Sequence, residues 1–139
     1  RGVSLMRGHT QYLPVPSAVD YMKKANEETL MIIQVESPES VDNLEQIMAT
    51  EGIDVAFVGP NDLCVSLGIP GAFGDPKYIA AVDRVIDVCK KAGKCSGIQT
   101  MDPDSLIPWM DKGMTCNLYS NEVRMLMDHA KAALSKLKR

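Results

Sequence analysis

Three side chains with polar groups that could bind a metal or a substrate lie at the ends of two short apolar runs of the chain. Gln34 and Glu36 end the run Leu30–Ser37, and Asp62 follows the run that begins at Ile53. Short apolar runs rich in β-branched residues that stop at polar ones are typical of buried parallel strands. Residues two apart on a strand point to the same face, so Gln34 and Glu36 are expected on one side.

Glu36 and Asp62 on neighbouring strand tips, with the amide of Gln34 nearby, suit a hard divalent cation. Mg²⁺ takes one or two protein carboxylates and leaves its other positions to water and substrate oxygens. The alternative is that each carboxylate merely accepts backbone N–H groups at the start of a helix. An amide inside an otherwise apolar strand needs a polar partner, so Gln34 favours the metal hypothesis.

The segment Gly59-Pro60-Asn61-Asp62 has two interpretations. It could be a simple β-turn. It could also be a binding segment, because glycine allows close backbone approach and the N–H groups after Pro60 could hold a carboxylate. Gln99, at the tip of a later strand, could line the same pocket or only tie down a loop.

Four strands alternate with helices along the chain, which predicts an α/β fold with a parallel sheet and right-handed crossovers. Four βα units make a small open sheet or half of an eight-unit barrel of roughly 250 residues. The strands are predicted at about Leu30–Gln34, Val55–Val58, Cys95–Gln99 and Thr115–Tyr119.

Cap residues followed by proline mark three of the helix starts. They are Ser37-Pro38, Asp75-Pro76 and Asp102-Pro103. Residues Asn61 to Gly74, with several glycines, are predicted to form a loop that can include helical turns and is long enough to be functional. The last helix is predicted to turn one apolar face inward, formed by Val123, Leu126, Met127, Ala130 and Leu134.

Length and composition favour one compact domain over residues 1–139, with 45% hydrophobic residues. A net charge of −3 and scattered basic residues argue against nucleic acid. No apolar run approaches the roughly 18 to 20 residues of a membrane span, and no signal peptide is visible, so we expect no membrane association and a cytoplasmic location. The four cysteines form no C-x-x-C pair and are expected to be free thiols.

Several motifs together resemble the HpcH/HpaI aldolase family, the metal-dependent pyruvate aldolases. They are Gln34-Val-Glu36-Ser, Val41-Asp-Asn-Leu, Glu51-Gly-Ile-Asp-Val-Ala-Phe-Val-Gly-Pro-Asn-Asp-Leu63 and Ser66-Leu-Gly. The resemblance is collinear through the whole chain. It implies the C-terminal half, strands five to eight, of a (β/α)₈ TIM barrel, and the first residue, Arg1, also suggests a piece of a longer protein.

The resemblance implies a class II aldolase, a carbon–carbon lyase that reversibly cleaves a 4-hydroxy-2-oxo acid to pyruvate and an aldehyde through a metal-stabilised enolate. Glu36 and Asp62 would ligate Mg²⁺, Mn²⁺ or Co²⁺, and Gln34 would lie beside pyruvate as the catalytic residue of this half. The backbone of Gly59, Pro60, Asn61 and Asp62 would hold the pyruvate carboxylate. Val3 and Gln99 would line the aldehyde side.

An acid–base histidine and a substrate-binding arginine of the family lie in early barrel strands that have no counterpart here. Cys64 replaces a small hydroxylic residue common in the family. The resemblance also implies a homo-oligomer, a hexamer or trimer. Alternatives are a citrate-lyase-beta-like or acyl-CoA lyase of the same superfamily, or a non-catalytic half-barrel that binds a metal or ligand.

Overall fold

The computed structural model describes Leu5 and residues 7–137, without the side chain of His9. The chain divides into two compact units, residues Arg1–Leu30 and Met31–Arg139. The predicted site residue Val3 lies outside the described residues. Every other predicted site residue belongs to the second unit.

The described part of the first unit is helical. It holds a short 3-10 helix at Gly8–Thr10 and helix α1 at Ala18–Glu28. The Ser17 side chain caps α1 by accepting the N–H of Asp20.

A four-stranded parallel sheet forms the centre of the second unit, in the order β1-β2-β3-β4. Sequential order with parallel pairing requires that each connection cross over the same face of the sheet. The strands are β1 at Ile32–Val35, β2 at Val55–Val58, β3 at Cys95–Thr100 and β4 at Leu118–Tyr119.

The two faces of the sheet differ in burial. The row Val35, Val58 and Ile98 is fully buried in the hydrophobic core beneath the helices. The alternate row contains Gln34, which is exposed, and Phe57, which is half-buried. The sheet therefore has one closed face, covered by helices, and one open face, on which Gln34 lies.

Helices follow the strands and supply the rest of the core. The buried helical residues include Leu44, Leu63 and Val82, each completely inaccessible to solvent. The helices are α2 at Pro38–Asp42, α3 at Leu44–Met48, α4 at Pro60–Ser66, α5 at Pro76–Ala92, α6 at Pro103–Asp111 and α7 at Glu122–Leu137. Within the described part of the chain, none of the helices has the length and apolarity needed to cross a membrane.

The three predicted cap-plus-proline signals each start a helix. The side chains of Ser37, Asp75 and Asp102 accept backbone N–H groups at the starts of α2, α5 and α6. These bonds satisfy donors that would otherwise have no intrahelical partner. The sequence therefore predicts where the chain turns after β1, and where α5 and α6 begin.

Two elements are shorter than predicted. The helix after Ser37 breaks at Asn43, whose side-chain amide donates to the Glu39 carbonyl at 2.9 Å and competes with the helix ladder. The last strand contains only its final two residues. Thr115 and Cys116 both donate to the Ser96 carbonyl, at 3.1 Å each, and two donors on one acceptor interrupt the regular pairing.

The segment from Asn61 to Gly74, predicted as a loop that can include helical turns, begins within a regular helix, because α4 occupies Pro60–Ser66. Proline is favoured at the first helical position, where its missing N–H costs nothing. The helix ends at Gly68, which takes a φ of +74° while the Ile69 N–H returns to the Cys64 carbonyl at 2.9 Å.

The prediction that the last helix turns an apolar face inward is wrong. Helix α7 buries none of its residues among the described part of the chain. Leu126 is 73% exposed and Leu134 is 57% exposed. The apolar periodicity correctly predicts a helix, but the surface that would cover its stripe is not present among the described residues.

The α/β class and the parallel order of four βα units are confirmed. Helices cover one side of the sheet, and the other side carries polar groups such as Gln34. In a barrel the helices lie outside and the opposite face of the strands lines the interior.

Gly97 provides a test of this packing. A Cβ at Gly97 would collide with the backbone carbonyl of Cys116 and lie 3.0 Å from the Phe57 ring. We expect Gly97→Ala to lower the free energy of unfolding by about 1–3 kcal/mol, the usual cost of overpacking. Urea unfolding followed by circular dichroism measures the change.

The matched control is Gly74→Ala, because a Cβ at Gly74 meets no atom within 4 Å. Equal unfolding midpoints for the two variants would contradict the close approach of β3 and the segment before β4.

Candidate active site

Glu36, Gly59 and Gln99 lie in one row at the carboxyl edge of the sheet. Val35 pairs with Val58, and Val58 pairs with Ile98. The next residue on each parallel strand therefore continues the row, at the usual inter-strand spacing of about 4.8 Å. The register thus places three predicted site residues side by side.

Gly59 permits a close approach between the tips of β1 and β2. Its N–H donates to the Val35 carbonyl at 3.1 Å. A Cβ built at this position would lie 2.9 Å from Glu36 Cγ, 3.0 Å from Glu36 Oε1 and 3.1 Å from Gln34 Nε2. The carboxylate of Glu36 and the amide of Gln34 therefore share the space that any larger residue at position 59 would fill.

Neither predicted metal ligand caps a helix. Ser37 caps α2, and within residues 7–137 no hydrogen bond or ion pair engages the carboxylate of Glu36 or Asp62. Glu36 is half-buried and Asp62 is exposed, in the first turn of α4. This arrangement argues against the alternative that the two carboxylates serve only to accept backbone N–H groups.

The segment from Gly59 to Asp62 is the start of α4 and not an isolated β-turn. No side chain caps this start among the described residues, and Pro60 has no N–H. The first backbone N–H groups of a helix have no intrahelical acceptor, so those of Asn61 and Asp62 are directed out of the helix start. They can donate hydrogen bonds to the oxygens of a carboxylate there.

Gln99 both ties down a loop and lines a pocket, the two alternatives that the sequence left open. Its Nε2 donates to the Ser120 carbonyl at 3.1 Å, which ties β3 to the residue that follows β4. Its side chain also lines a cavity together with Pro60 and Asn61. Ser120 is buried, has a φ of +56° and donates its N–H to the Thr100 carbonyl at 2.8 Å.

This cavity has a volume of about 590 Å³ and lies between the tips of β2 and β3 and helices α5 and α6. Pro60, Asn61 and Gln99 form its side toward the row of site residues. The other lining residues are Phe73, Gly74, Tyr78, Ile79, Thr100, Met101, Asp102, Ser105, Pro108, Trp109 and Lys112.

The surroundings of the ionisable groups in the cavity determine their protonation states. Hydrogen bonds from the Ser105 backbone and hydroxyl hold the pKa of Asp102 below its usual range, so Asp102 is a carboxylate at neutral pH. Burial raises the pKa of Tyr78, so its hydroxyl keeps its proton. Burial also raises the pKa of the Cys64 thiol, which lies in the core and does not line the cavity.

The structure therefore brings the predicted residues together in two groups. Gln34 and Glu36 meet at Gly59, with Asp62 in the following helical turn. Pro60, Asn61 and Gln99 border the cavity. The aromatic wall of the cavity is missed by sequence analysis, because Tyr78 and Trp109 follow an ordinary helical spacing that indicates only packing.

The donor set fits a hard cation. Two carboxylates and an amide oxygen are ligands that Mg²⁺ accepts, and such a site needs no more than two protein carboxylates. No group of three or more His, Cys, Asp or Glu residues that could hold a metal occurs within the described part of the chain. A soft site built from thiolates or imidazoles is therefore not the arrangement found here.

Two aldolases are similar to this chain in sequence. The chain is 39% identical over 102 residues to a pyruvate aldolase of Rhizobium etli, covering 73% of this chain and 39% of the relative. It is 41% identical over 98 residues to a 5-keto-4-deoxy-D-glucarate aldolase of Klebsiella pneumoniae, covering 70% of this chain and 37% of the relative. The chain thus spans well under half the length of these curated relatives.

Among solved structures, an HpcH/HpaI aldolase/citrate lyase family protein from Burkholderia cenocepacia superposes with a TM-score of 0.90 at 34% identity. The superposition covers all of this chain and 53% of the other. It confirms the fold predicted from the resemblance, part of a TIM barrel. The sequence model of the HpcH/HpaI aldolase/citrate lyase family matches residues 5–118, and the chain therefore belongs to that family.

Proposed function

We propose that this chain forms the metal- and pyruvate-binding half of a class II aldolase. The protein would cleave a 4-hydroxy-2-oxo acid to pyruvate and an aldehyde. The observation that carries the proposal is the meeting of Glu36 and Gln34 at Gly59, where a Cβ would lie only 3.0 Å from Glu36 Oε1. The relatives are named as aldolases, which supports aldol cleavage as the class of reaction.

Glu36 and Asp62 would hold a divalent cation, Mg²⁺, Mn²⁺ or Co²⁺. When bound, such an ion supplies a Lewis acid that favours loss of a proton next to a keto group. Gln34, on the same face as Glu36, orients the substrate by hydrogen bonding through its amide. The N–H groups of Asn61 and Asp62 at the start of α4 bind the carboxylate of the keto acid and fix its direction.

The resemblance implies that a histidine of an early barrel strand takes part in the proton transfers, and those strands have no counterpart here. His129, the histidine whose side chain the structure describes, lies in the exposed helix α7. General acid–base groups typically contribute about 10²- to 10⁴-fold in rate. We infer that the histidine and arginine expected from the resemblance are supplied outside this chain segment.

The family description also includes citrate lyases, which makes a lyase acting on a tricarboxylic or acyl-CoA substrate the second candidate. Both candidates use the same carboxylates, so substrate preference alone separates them. Three further expectations stay predictions. They are the formation of a homo-oligomer, a cytoplasmic location and a single domain over residues 1–139.

The metal ligands can be tested by titration. We expect Glu36→Gln and Asp62→Asn in the full-length gene product to weaken Mn²⁺ binding by at least about tenfold each, because each removes one of two carboxylates. Isothermal titration calorimetry measures the affinity. The matched control is Glu39→Gln, an exposed acid in the first turn of α2. Parent-like affinity in both site variants would reject the proposed ligands.

A second experiment tests the close approach at Gly59. In Gly59→Ala the added Cβ would displace Glu36 and Gln34, so Mn²⁺ affinity and turnover should fall together. Gly74→Ala, which adds a methyl group in open space, serves as the control for Mn²⁺ affinity alone, because Gly74 lines the cavity. A Gly59→Ala variant with parent-like metal affinity would show that the position of Glu36 does not depend on this glycine.

Activity is tested on the full-length gene product and on residues 1–139 alone, both with Mg²⁺ or Mn²⁺. We expect the full protein to release pyruvate from 4-hydroxy-2-oxo acids, and the isolated segment to be slower by at least about 10²-fold for want of the acid–base group. A coupled pyruvate assay measures both, with citrate and acyl-CoA substrates in parallel. Cleavage of citrate but of no hydroxy-keto acid would establish the second candidate instead.

A further inference from the structure

The cavity beside Gln99 has a fixed aromatic wall. The ring of Tyr78 meets Phe73 edge-on at 5.8 Å between centroids, and it meets Trp109 in the same way at 6.3 Å. Tyr78 is only 2% exposed, so the core holds the ring that joins the other two. Edge-to-face packing of this kind favours one arrangement of the wall.

The charged groups of the cavity are already paired within the protein. Lys112 Nζ lies 2.6 Å from Asp83 Oδ1 and 4.8 Å from the centroid of the Trp109 ring. Asp102 accepts the backbone N–H and the hydroxyl of Ser105. Lys112 is thus engaged elsewhere, and the negative charge of Asp102 repels an anion, so the cavity suits a neutral and largely apolar group.

The cavity adjoins the proposed site of bond formation. Asn61 and Gln99 line it, and Gln99 stands next to Gly59 in the row that ends at Glu36. A substrate whose carboxylate is held at the start of α4 extends toward Gln99 if it continues along that row. The volume of about 590 Å³ falls within the range of about 300–1,000 Å³ usual for small-molecule sites.

We propose that this cavity receives an apolar chain carried by the aldehyde component, so that the enzyme prefers alkyl or aryl aldehydes over short ones. The inference rests on the proposed aldolase function and adds the class of the second substrate. In the synthetic direction, C3 of pyruvate bonds to the aldehyde carbonyl carbon, and the proton lost from C3 is balanced by one gained at the aldehyde oxygen. The apolar chain takes no part in this step and contributes by burial.

Binding is tested apart from catalysis with hexan-1-ol, which cannot react. Trp109 is the single tryptophan of this chain, so where the full-length protein has further tryptophans these are first replaced by phenylalanine. Saturable change of Trp109 fluorescence with hexan-1-ol, and none with ethanol at the same concentrations, is the expected result. A linear response without saturation would overturn the proposal that the cavity binds an apolar chain.

Catalysis is tested by aldol addition of pyruvate to hexanal and to acetaldehyde. Each buried methylene should raise kcat/KM roughly three- to fourfold, so hexanal should exceed acetaldehyde by at least about tenfold. Addition to acetaldehyde with no preference for hexanal would overturn the cavity proposal and leave the aldolase function standing. No addition to either aldehyde would overturn the aldolase function, and hexan-1-ol binding would then decide the cavity by itself.

A substitution in the cavity tests whether the cavity causes the preference for hexanal. Gly74 lines it, and a Cβ there meets no atom within 4 Å, so Gly74→Leu places a side chain in the cavity without a clash at its first atom. We expect this variant to lose most of the ratio between hexanal and acetaldehyde. Gly8→Leu, at a glycine equally open but not lining the cavity, should keep it. Circular dichroism checks that both variants fold, and an unchanged ratio in folded Gly74→Leu would reject the assignment.

Discussion

The candidate site depends on a close approach between two strand tips that only glycine allows. The Gly59 N–H is bonded to the Val35 carbonyl at 3.1 Å, so the backbone of β2 is held against β1 just where Glu36 leaves the sheet. The side of Gly59 that a Cβ would occupy is filled by the Glu36 carboxylate and the Gln34 amide. Packing against the backbone of Gly59 restricts the positions that these two polar groups can take.

Helix α4 depends on the same constraint. Pro60 begins the helix immediately after Gly59, and Leu63 and Cys64 anchor it in the core with no exposed surface. Because its far end is buried, the helix cannot shift to improve a cap at its start. The start is therefore open toward the site, and its backbone N–H groups and Asp62 are presented together.

Much of this arrangement could be predicted from the sequence. Local chemistry determines the strand tips and the caps at Ser37, Asp75 and Asp102, and the period of a strand places Gln34 and Glu36 on one face. What could not be predicted depends on contacts distant in sequence. The sequence allows helical turns after Pro60 but does not give the extent of α4, because the burial of Leu63 and Cys64 depends on residues distant in sequence. The exposure of α7 likewise depends on which surfaces surround it. The aromatic wall around Tyr78 arises only when α5 and α6 pack side by side.

Gln99 connects the substrate cavity to the last part of the fold. One end of its side chain is fixed by the Ser120 carbonyl, at the point where a left-handed residue turns the chain from β4 into α7. An apolar residue at position 99 would leave the buried carbonyl of Ser120 without this donor, at a cost of about 1–3 kcal/mol. The polarity of the cavity at this point and the turn into α7 are therefore coupled. An apolar substitution at Gln99 would therefore weaken the link between β3 and the segment that leads into α7, whereas a substitution at Gly74 would leave this hydrogen bond in place.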